Sequence, residues 1–374
     1  MLVEQESLLD FLGKEDAHFF IPAYQRVYSW NEMQCEELWL DILRAGRSGR
    51  NHFLGTVLYA CKDADIRGDA DSCEGGEACK DAEGSAARFE IIDGQQRLTS
   101  ISLIILALIK HVRSNPDSGI DAKELEDLYL YSGGNSANRE IKFTPSHHDV
   151  EHYIAEVEGR EPSAITAISR NLSFFESKMK EDDFNIEELV KGLSNLVIIA
   201  VEVEDLQMAQ TIFEGINSKG MPLNVADMIR NYLLLAEGHD EQTRLYEEYW
   251  KPSQEMFSPD PGSLRLNSGI KSWISIRLRT ARVLSSDQVY SAFKKYVEDV
   301  YQGDKEPILR ELRGFCLMWA ENYRYHGTKK YKSGSDWAEL GAPALTANYK
   351  LKKADNEEYA ERVRKQLRET DSRW

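Results

Sequence analysis

Apolar residues recur along this chain with a period that changes from segment to segment, and the changes mark out its elements. A short helical pattern over Ser7–Leu12 gives way to a strand-like run, His18-Phe19-Phe20-Ile21. Pro22 ends that run because it has no N–H to offer a sheet. The stretch "AYQRVYSW" breaks the pattern and reads as a loop. Ser29 and Glu32 have the spacing of a capping box, so the next helix is expected to start at Trp30. It would show one face through Leu38, Trp39, Ile42 and Leu43 and stop at Gly46.

"HFLGTVLYA" (52–60) and "RFEII" (88–92) read as partner strands. Residues 61–87 between them are rich in Asp, Glu, Gly, Ala and Ser. They hold too little apolar bulk to order themselves, and a mobile hairpin insertion is expected. Leu98–Val112 is apolar on nearly every side, the pattern of a helix covered all round. Residues 113–190 read as short helices joined by polar loops, and "LVIIAVEV" (196–203) as a buried strand. "DLQMAQTIFEGI" then reads as a helix and "NSKGMPLN" as a turn, where Gly220 suits a helix end and Pro222 forbids continuation. Asn224 is placed to cap a helix over Val225–Ala236. Beyond residue 240 the pattern is helical, with many Trp and Tyr and no internal repeat. The expected class is α+β: a domain over 1–236 with a small mixed sheet, then a mainly α-helical domain over 237–374.

Charge and cysteine usage narrow the function classes. A net charge of −17 over 374 residues argues against a generally basic nucleic-acid coat protein, though not against a local basic face. The longest apolar stretch, Ile101 to Ile109, falls short of the ~20 residues of a membrane span. The first residues lack a signal-peptide progression, so a cytoplasmic location is expected. Five cysteines at irregular spacing are not a disulfide framework, and Cys61, Cys73 and Cys79 lack the paired spacing of a zinc site. His148 and His152 share a helix face but have no evident third ligand.

The sharpest chemistry lies in "FEIIDGQQRLTS", where four polar side chains separate a strand from an apolar helix. Asp93 reads as an N-cap that accepts from the Gln96 N–H, with Gln96 bonding back and Gly94 allowing the turn. Capping leaves Gln95 and Arg97 unexplained. A helix start offers N–H donors and a positive dipole end, and Arg97 adds a forked cation, so the combination suits an anion such as phosphate. Asp93 would then hold a divalent ion or orient a water. Gln25-Arg26, after Tyr24, repeats the amide–guanidinium pair. Asn217, Ser218, Lys219 and Gly220 form a polar turn, and Asp227 and Arg230 are spaced to make a surface ion pair. Each cluster also has a purely structural reading in capping and ion pairing.

Taken in order, "IPAYQRVYSW", "HFLGTVLY", "EIIDGQQRLTS" and "FEGINSKGMPLNVADMIRN" resemble the signature of the GmrSD-type restriction endonuclease N-terminal domain family. The resemblance covers 5–60 and 88–236, loosens to about 320, and is absent from the acidic insertion. It implies a ParB/sulfiredoxin-like nucleotide-binding fold and a phage-defence role. It also implies hydrolysis of a nucleoside triphosphate that gates restriction of modified DNA. Asp93, Gln95, Gln96 and Arg97 match the family's hydrolysis motif, with Asp93 the expected ligand of Mg²⁺ or another divalent cation. Tyr24, Gln25, Arg26, Gly94 and Asn217 to Gly220 match positions bordering the nucleotide. A non-hydrolysing sensor of nucleotide or modified DNA is the alternative.

Members that cut DNA carry a C-terminal HNH-type nuclease, whereas the last histidine here is His326. A separate nuclease subunit or a missing nuclease domain is therefore expected, and no DNA cleavage by this chain alone. The expected partners are a nucleoside triphosphate, modified phage DNA, that nuclease and a second copy of the chain. Two stretches have the basic and aromatic composition of a DNA face: "RLNSGIKSWISIRLRTAR", with Lys271, Arg277, Arg279 and Arg282, and "YRYHGTKKYK", with Lys329 and Lys330. A solvated helix face balanced by acids is their bland reading.

Overall fold

A computed structural model describes residues 1–327 except 16, 62–86, 133–138, 162, 204–207, 210–211, 213–223, 236–238, 256–263 and 279–284. The chain divides into two units, Met1–Ser218 and Lys219–Trp374. The boundary thus falls before residue 236, and the helix Val225–Leu234 belongs to the second unit.

The first unit is built on a mixed sheet of six strands. These are β1 (Leu2–Ser7), β2 (Ala17–Phe20), β3 (His52–Cys61), β4 (Ala87–Asp93), β7 (Phe143–Thr144) and β8 (Leu196–Glu202). Their order is β1-β8-β3-β4-β2-β7. The β1–β8 and β3–β4 pairs are antiparallel; β8–β3, β4–β2 and β2–β7 are parallel. The expected pairing of 52–60 with 88–92 is therefore present. A two-stranded ribbon, β5 (Tyr131–Ser132) with β6 (Glu140–Ile141), forms a second sheet.

Helix α1 (Leu8–Gly13) follows β1, with Ser7 as its N-cap. Helix α2 (Glu32–Ser48) starts later and ends later than the sequence suggests. Its cap is Asn31, which accepts from the Met33 N–H at 2.9 Å while Gln34 Oε1 accepts from the Asn31 N–H at 2.8 Å. Ser29 is engaged elsewhere, so the expected Ser29–Glu32 box does not form. The helix closes at Gly49, whose φ of 61° is the left-handed conformation glycine adopts at low cost. Gly46 lies inside the helix, where α7 (Ile186–Ser194) crosses it. A Cβ at Gly46 would lie 2.0 Å from Glu188 O, and one at Gly192 would lie 2.1 Å from Ile42 O. The two backbones touch, and only glycine fits.

Helix α3 (Gln95–Ser114) fills the core as its all-round apolar pattern predicts. It packs against α4 (Ala122–Tyr129) and α6 (Ala167–Lys178); α5 (Val150–Val157) lies between those two in the chain. Residues 62–86, most of the expected insertion, lie outside the described residues, as do Cys73, Cys79 and most of the helix expected after 203.

The elements among the second unit's described residues are all helices: α8 (Val225–Leu234), α9 (His239–Leu245), α10 (Lys251–Glu255), α11 (Leu264–Arg277), α12 (Ser286–Tyr301) and α13 (Lys305–Gly327). A π-turn, Tyr246–Trp250, joins α9 to α10. Asn224 caps α8 as expected, accepting from the Asp227 N–H at 2.9 Å. The Asp227–Arg230 pair forms at 2.9 Å, but both side chains are buried, so it is not the surface pair expected. Among the described residues no helix is long and apolar enough to cross a membrane.

The crossing of α2 and α7 gives a direct test. Gly192→Ala is expected to lower the unfolding free energy by at least about 2 kcal/mol in denaturant titration, because backbone cannot yield to the added methyl. Gly314, exposed on α13 with no atom within 4 Å of its Cβ position, is the control. Gly314→Ala should be neutral or stabilising by ~0.5–1 kcal/mol.

Candidate site at the amino end of the buried helix

β4 delivers Asp93 to the start of α3, but Asp93 does not cap it. The N-cap is Gly94, at φ 93°, and no side chain caps the helix. A Cβ there would meet Val57 Cγ2 at 3.2 Å and Thr56 O at 3.3 Å, so both conformation and close approach to β3 call for glycine. Asp93 accepts instead from the Gly94 N–H, and its Oδ2 lies 3.8 Å from Arg97 Nη2. The expected capping box with Gln96 is thus replaced. The first-turn N–H groups of a helix have no intrahelical partners, and here a side-chain acceptor is missing as well.

Gln96 looks away from that helix end, toward the loop 21–31. Its Oε1 accepts from Ser29 N–H at 2.8 Å and Ser29 Oγ–H at 3.3 Å, and its Nε2 donates to Val27 O at 3.2 Å. Both polar ends are used to hold the loop, so Gln96 is a clamp. Tyr28, in the same loop, is fixed from below. Asn171 Nδ2 donates to its hydroxyl at 3.0 Å, which lies 2.6 Å from Ser100 Oγ; Ser100 in turn donates to Gln96 O at 2.9 Å. The Tyr28 N–H donates to Asp149 Oδ2 at 2.7 Å, where Ser146 Oγ–H also donates at 2.6 Å. Burial raises the Asp149 pKa against those two hydrogen bonds.

Arg97 reaches the strand beside it. Nη1 donates to Leu54 O at 2.9 Å and Nη2 to Thr56 O at 2.8 Å, straddling Gly55. Gly55 has φ 123° and sits at the register shift of β3, and a Cβ on it would lie 1.8 Å from Arg97 Nη1. The fork therefore closes a β-bulge. Burial works against both charges of the neighbouring pair. It raises the Asp93 pKa, opposed by Arg97, the Gly94 N–H and Arg26; it lowers that of Arg97, opposed by Asp93.

The other expected residues divide. Arg26 lies close enough to Asp93 to draw its pKa down. Tyr24 is wholly buried, its hydroxyl donating to Glu90 Oε1 at 3.0 Å, so it braces the loop from the core and is not placed to touch a ligand. Gln25 is buried too, bonded to Gln95 and to Ile92 O. Asn217, Ser218, Lys219 and Gly220 lie outside the described residues, as do Arg279, Arg282, Lys329 and Lys330. Arg277 turns inward and pairs with Glu311, which also accepts from Trp273 Nε1 at 3.0 Å and from Tyr301. That pairing commits Arg277 to the second unit's core and away from the expected DNA face. Lys271, on α11, is half-buried. Among the described residues no group of three or more His, Cys, Asp or Glu could hold a metal, and that includes His148 and His152.

Sequence reasoning missed Gly55, Ser100, Asp149 and Asn171. Gly55 carried a readable signal, a lone glycine inside an apolar strand. Asp149 and Asn171 carried none, being ordinary polar residues whose partners are 121 and 143 positions away.

The chain matches the family described as GmrSD restriction endonuclease, N-terminal domain, over residues 8–234. No curated protein matches it.

Gly55→Ala should evict the Arg97 fork from the two β3 carbonyls and cost about 1–3 kcal/mol. In a double-mutant cycle with Arg97→Ala, unfolding free energies should be strongly non-additive, since both changes break one contact. Additive losses would show the straddle to be energetically idle.

Proposed function

The chain belongs to the GmrSD restriction endonuclease N-terminal domain family, and from that premise we propose that the amino end of α3 binds and hydrolyses a nucleoside triphosphate. Restriction proteins of this family place the chain in restriction and defence; the nucleotide step is the finer reading. One observation carries it: a long buried helix begins without a side-chain cap, between a carboxylate and two guanidinium groups. Uncapped N–H groups and the dipole attract a phosphate chain. Arg26 and Arg97 neutralise developing charge, Arg97 from a position its β3 contacts have already fixed.

In the reaction, the oxygen of a water bonds to the γ-phosphorus as the bond to the β–γ bridging oxygen breaks with its electron pair. A nucleoside diphosphate and inorganic phosphate leave, and the water's protons pass to phosphate oxygens and solvent. Positioning and charge neutralisation are what such a transfer chiefly needs. The single carboxylate of Asp93 fits a Mg²⁺ that takes most of its ligands from phosphate and water. That ion would supply charge neutralisation of the triphosphate. Turnover would gate a nuclease, in another subunit or domain, acting on modified phage DNA; a second copy of the chain is the remaining proposed partner.

A purified-protein assay of phosphate release across a nucleotide panel tests this, with Asp93→Asn as the decisive variant. Burial holds the Asp93 pKa above the ordinary carboxylate value. The stability linked to that raised pKa is complete below the unfolded value and is lost as pH rises through the folded one. The ionised form of the side chain is therefore carried at a cost. Asp93→Asn is expected to leave the Tm unchanged or higher while lowering phosphate release by about a hundredfold or more. Equal rates in wild type and variant would remove Asp93 from the chemistry. Nucleotide binding without phosphate release would instead favour a non-hydrolysing sensor.

A further inference from the structure

Gln95 and Gln25 form a one-way relay. Gln25 Nε2 donates to Ile92 O at 2.8 Å, and Gln95 Nε2 donates to Gln25 Oε1 at 2.9 Å. The direction is forced. A backbone carbonyl can only accept, so the Gln25 atom facing Ile92 is its amino group. The atom it leaves toward Gln95 is then an oxygen, and Gln95 must face it with nitrogen. Gln95 is therefore left with its carbonyl oxygen, Oε1, turned away from the relay. Gln95 is 7% exposed and that oxygen has no hydrogen-bond partner. A buried acceptor left unmade costs free energy that native structures seldom tolerate without a reason.

We propose that Gln25 is a positioning residue that fixes the sense of the Gln95 amide, so that Gln95 presents an acceptor to the attacking water. This deepens the hydrolytic reading above and rests on it. The group that Gln95 Oε1 meets must bring a proton. A phosphate oxygen in a triphosphate brings none and would be repelled, whereas a water donates one hydrogen to Oε1 and aims a lone pair at the γ-phosphorus. Orientation of the nucleophilic water by a glutamine carbonyl is a recurrent solution in phosphoryl transfer. The two adjacent glutamines thus part company: Gln96 holds the loop with both ends of its amide, and Gln95 keeps one end for the ligand. Gln25 moves from the expected nucleotide contact to a support behind Gln95.

Two variants test the relay by steady-state kinetics of phosphate release. Gln25→Leu removes both bonds and lets the Gln95 amide turn; kcat is expected to fall about tenfold, with unchanged affinity for a non-hydrolysable nucleotide analogue. Gln25→Glu can rebuild the relay only when protonated, its O–H donating to Ile92 O and its carbonyl accepting from Gln95. Its kcat should approach wild type at acid pH and fall as pH rises through the elevated pKa that burial gives a carboxyl. The wild type should lack that limb. Variants that match wild-type kcat at every pH, or that lose analogue affinity while keeping kcat, would overturn the relay. A wild-type protein that releases no phosphate would overturn the hydrolytic reading and the relay with it; active wild type beside unaffected variants would overturn the relay alone.

Discussion

The amino end of α3 lies inside the first unit with no side chain capping it, and the polar residues around it exist to make that position tenable. A helix start in the interior must have its surroundings fixed, because unpaired polar groups there are costly. Each neighbour solves part of the problem. Gln96 binds the 21–31 loop over the helix, Arg97 clamps the bulge of β3, and Ser100 links the helix backbone to Tyr28. Asp149 and Asn171 then tie the loop to α5 and α6, so four separate segments converge on one helix turn.

Much of this was legible in order but not in partnership. Four of the six sheet strands, the central helix and the Asn224 cap follow from periodicity and capping rules, which depend on near neighbours; the edge strands β1 and β7 carry no such pattern and go unread. The errors came where a residue had two competing uses. Ser29 has the spacing of a cap, but Gln96 takes its hydrogen bonds, and Asn31 caps instead. Asp93 stands where a cap should stand, yet Gly94 in a left-handed conformation takes the N-cap position. Gly46 looks like a helix stop and is instead the contact point with α7. Such choices are decided by residues distant in the chain (Gln96 for Ser29, Thr56 and Val57 for Gly94, Glu188 for Gly46), which a local pattern cannot see.

The charges at the site are held rather than relaxed. Burial disfavours both the Asp93 carboxylate and the Arg97 guanidinium, while their mutual attraction acts at 3.8 Å. Half-buried pairs of this kind add little net stability, because desolvation offsets much of their attraction. Here the pair sits between a strand end and a helix start, where its charges and the helix dipole act on one another at close range.

The hairpin of β3 and β4 separates two tasks along its length. Asp93 is at one end of β4, and Ala87, where the chain returns from the acidic stretch, is at the other, roughly 20 Å away at the rise of a strand. The two strand ends Cys61 and Ala87 thus lie at the rim opposite the helix start. That opposite rim is a natural place to splice in a fluorophore or affinity handle that reports on the protein while leaving its polar centre alone.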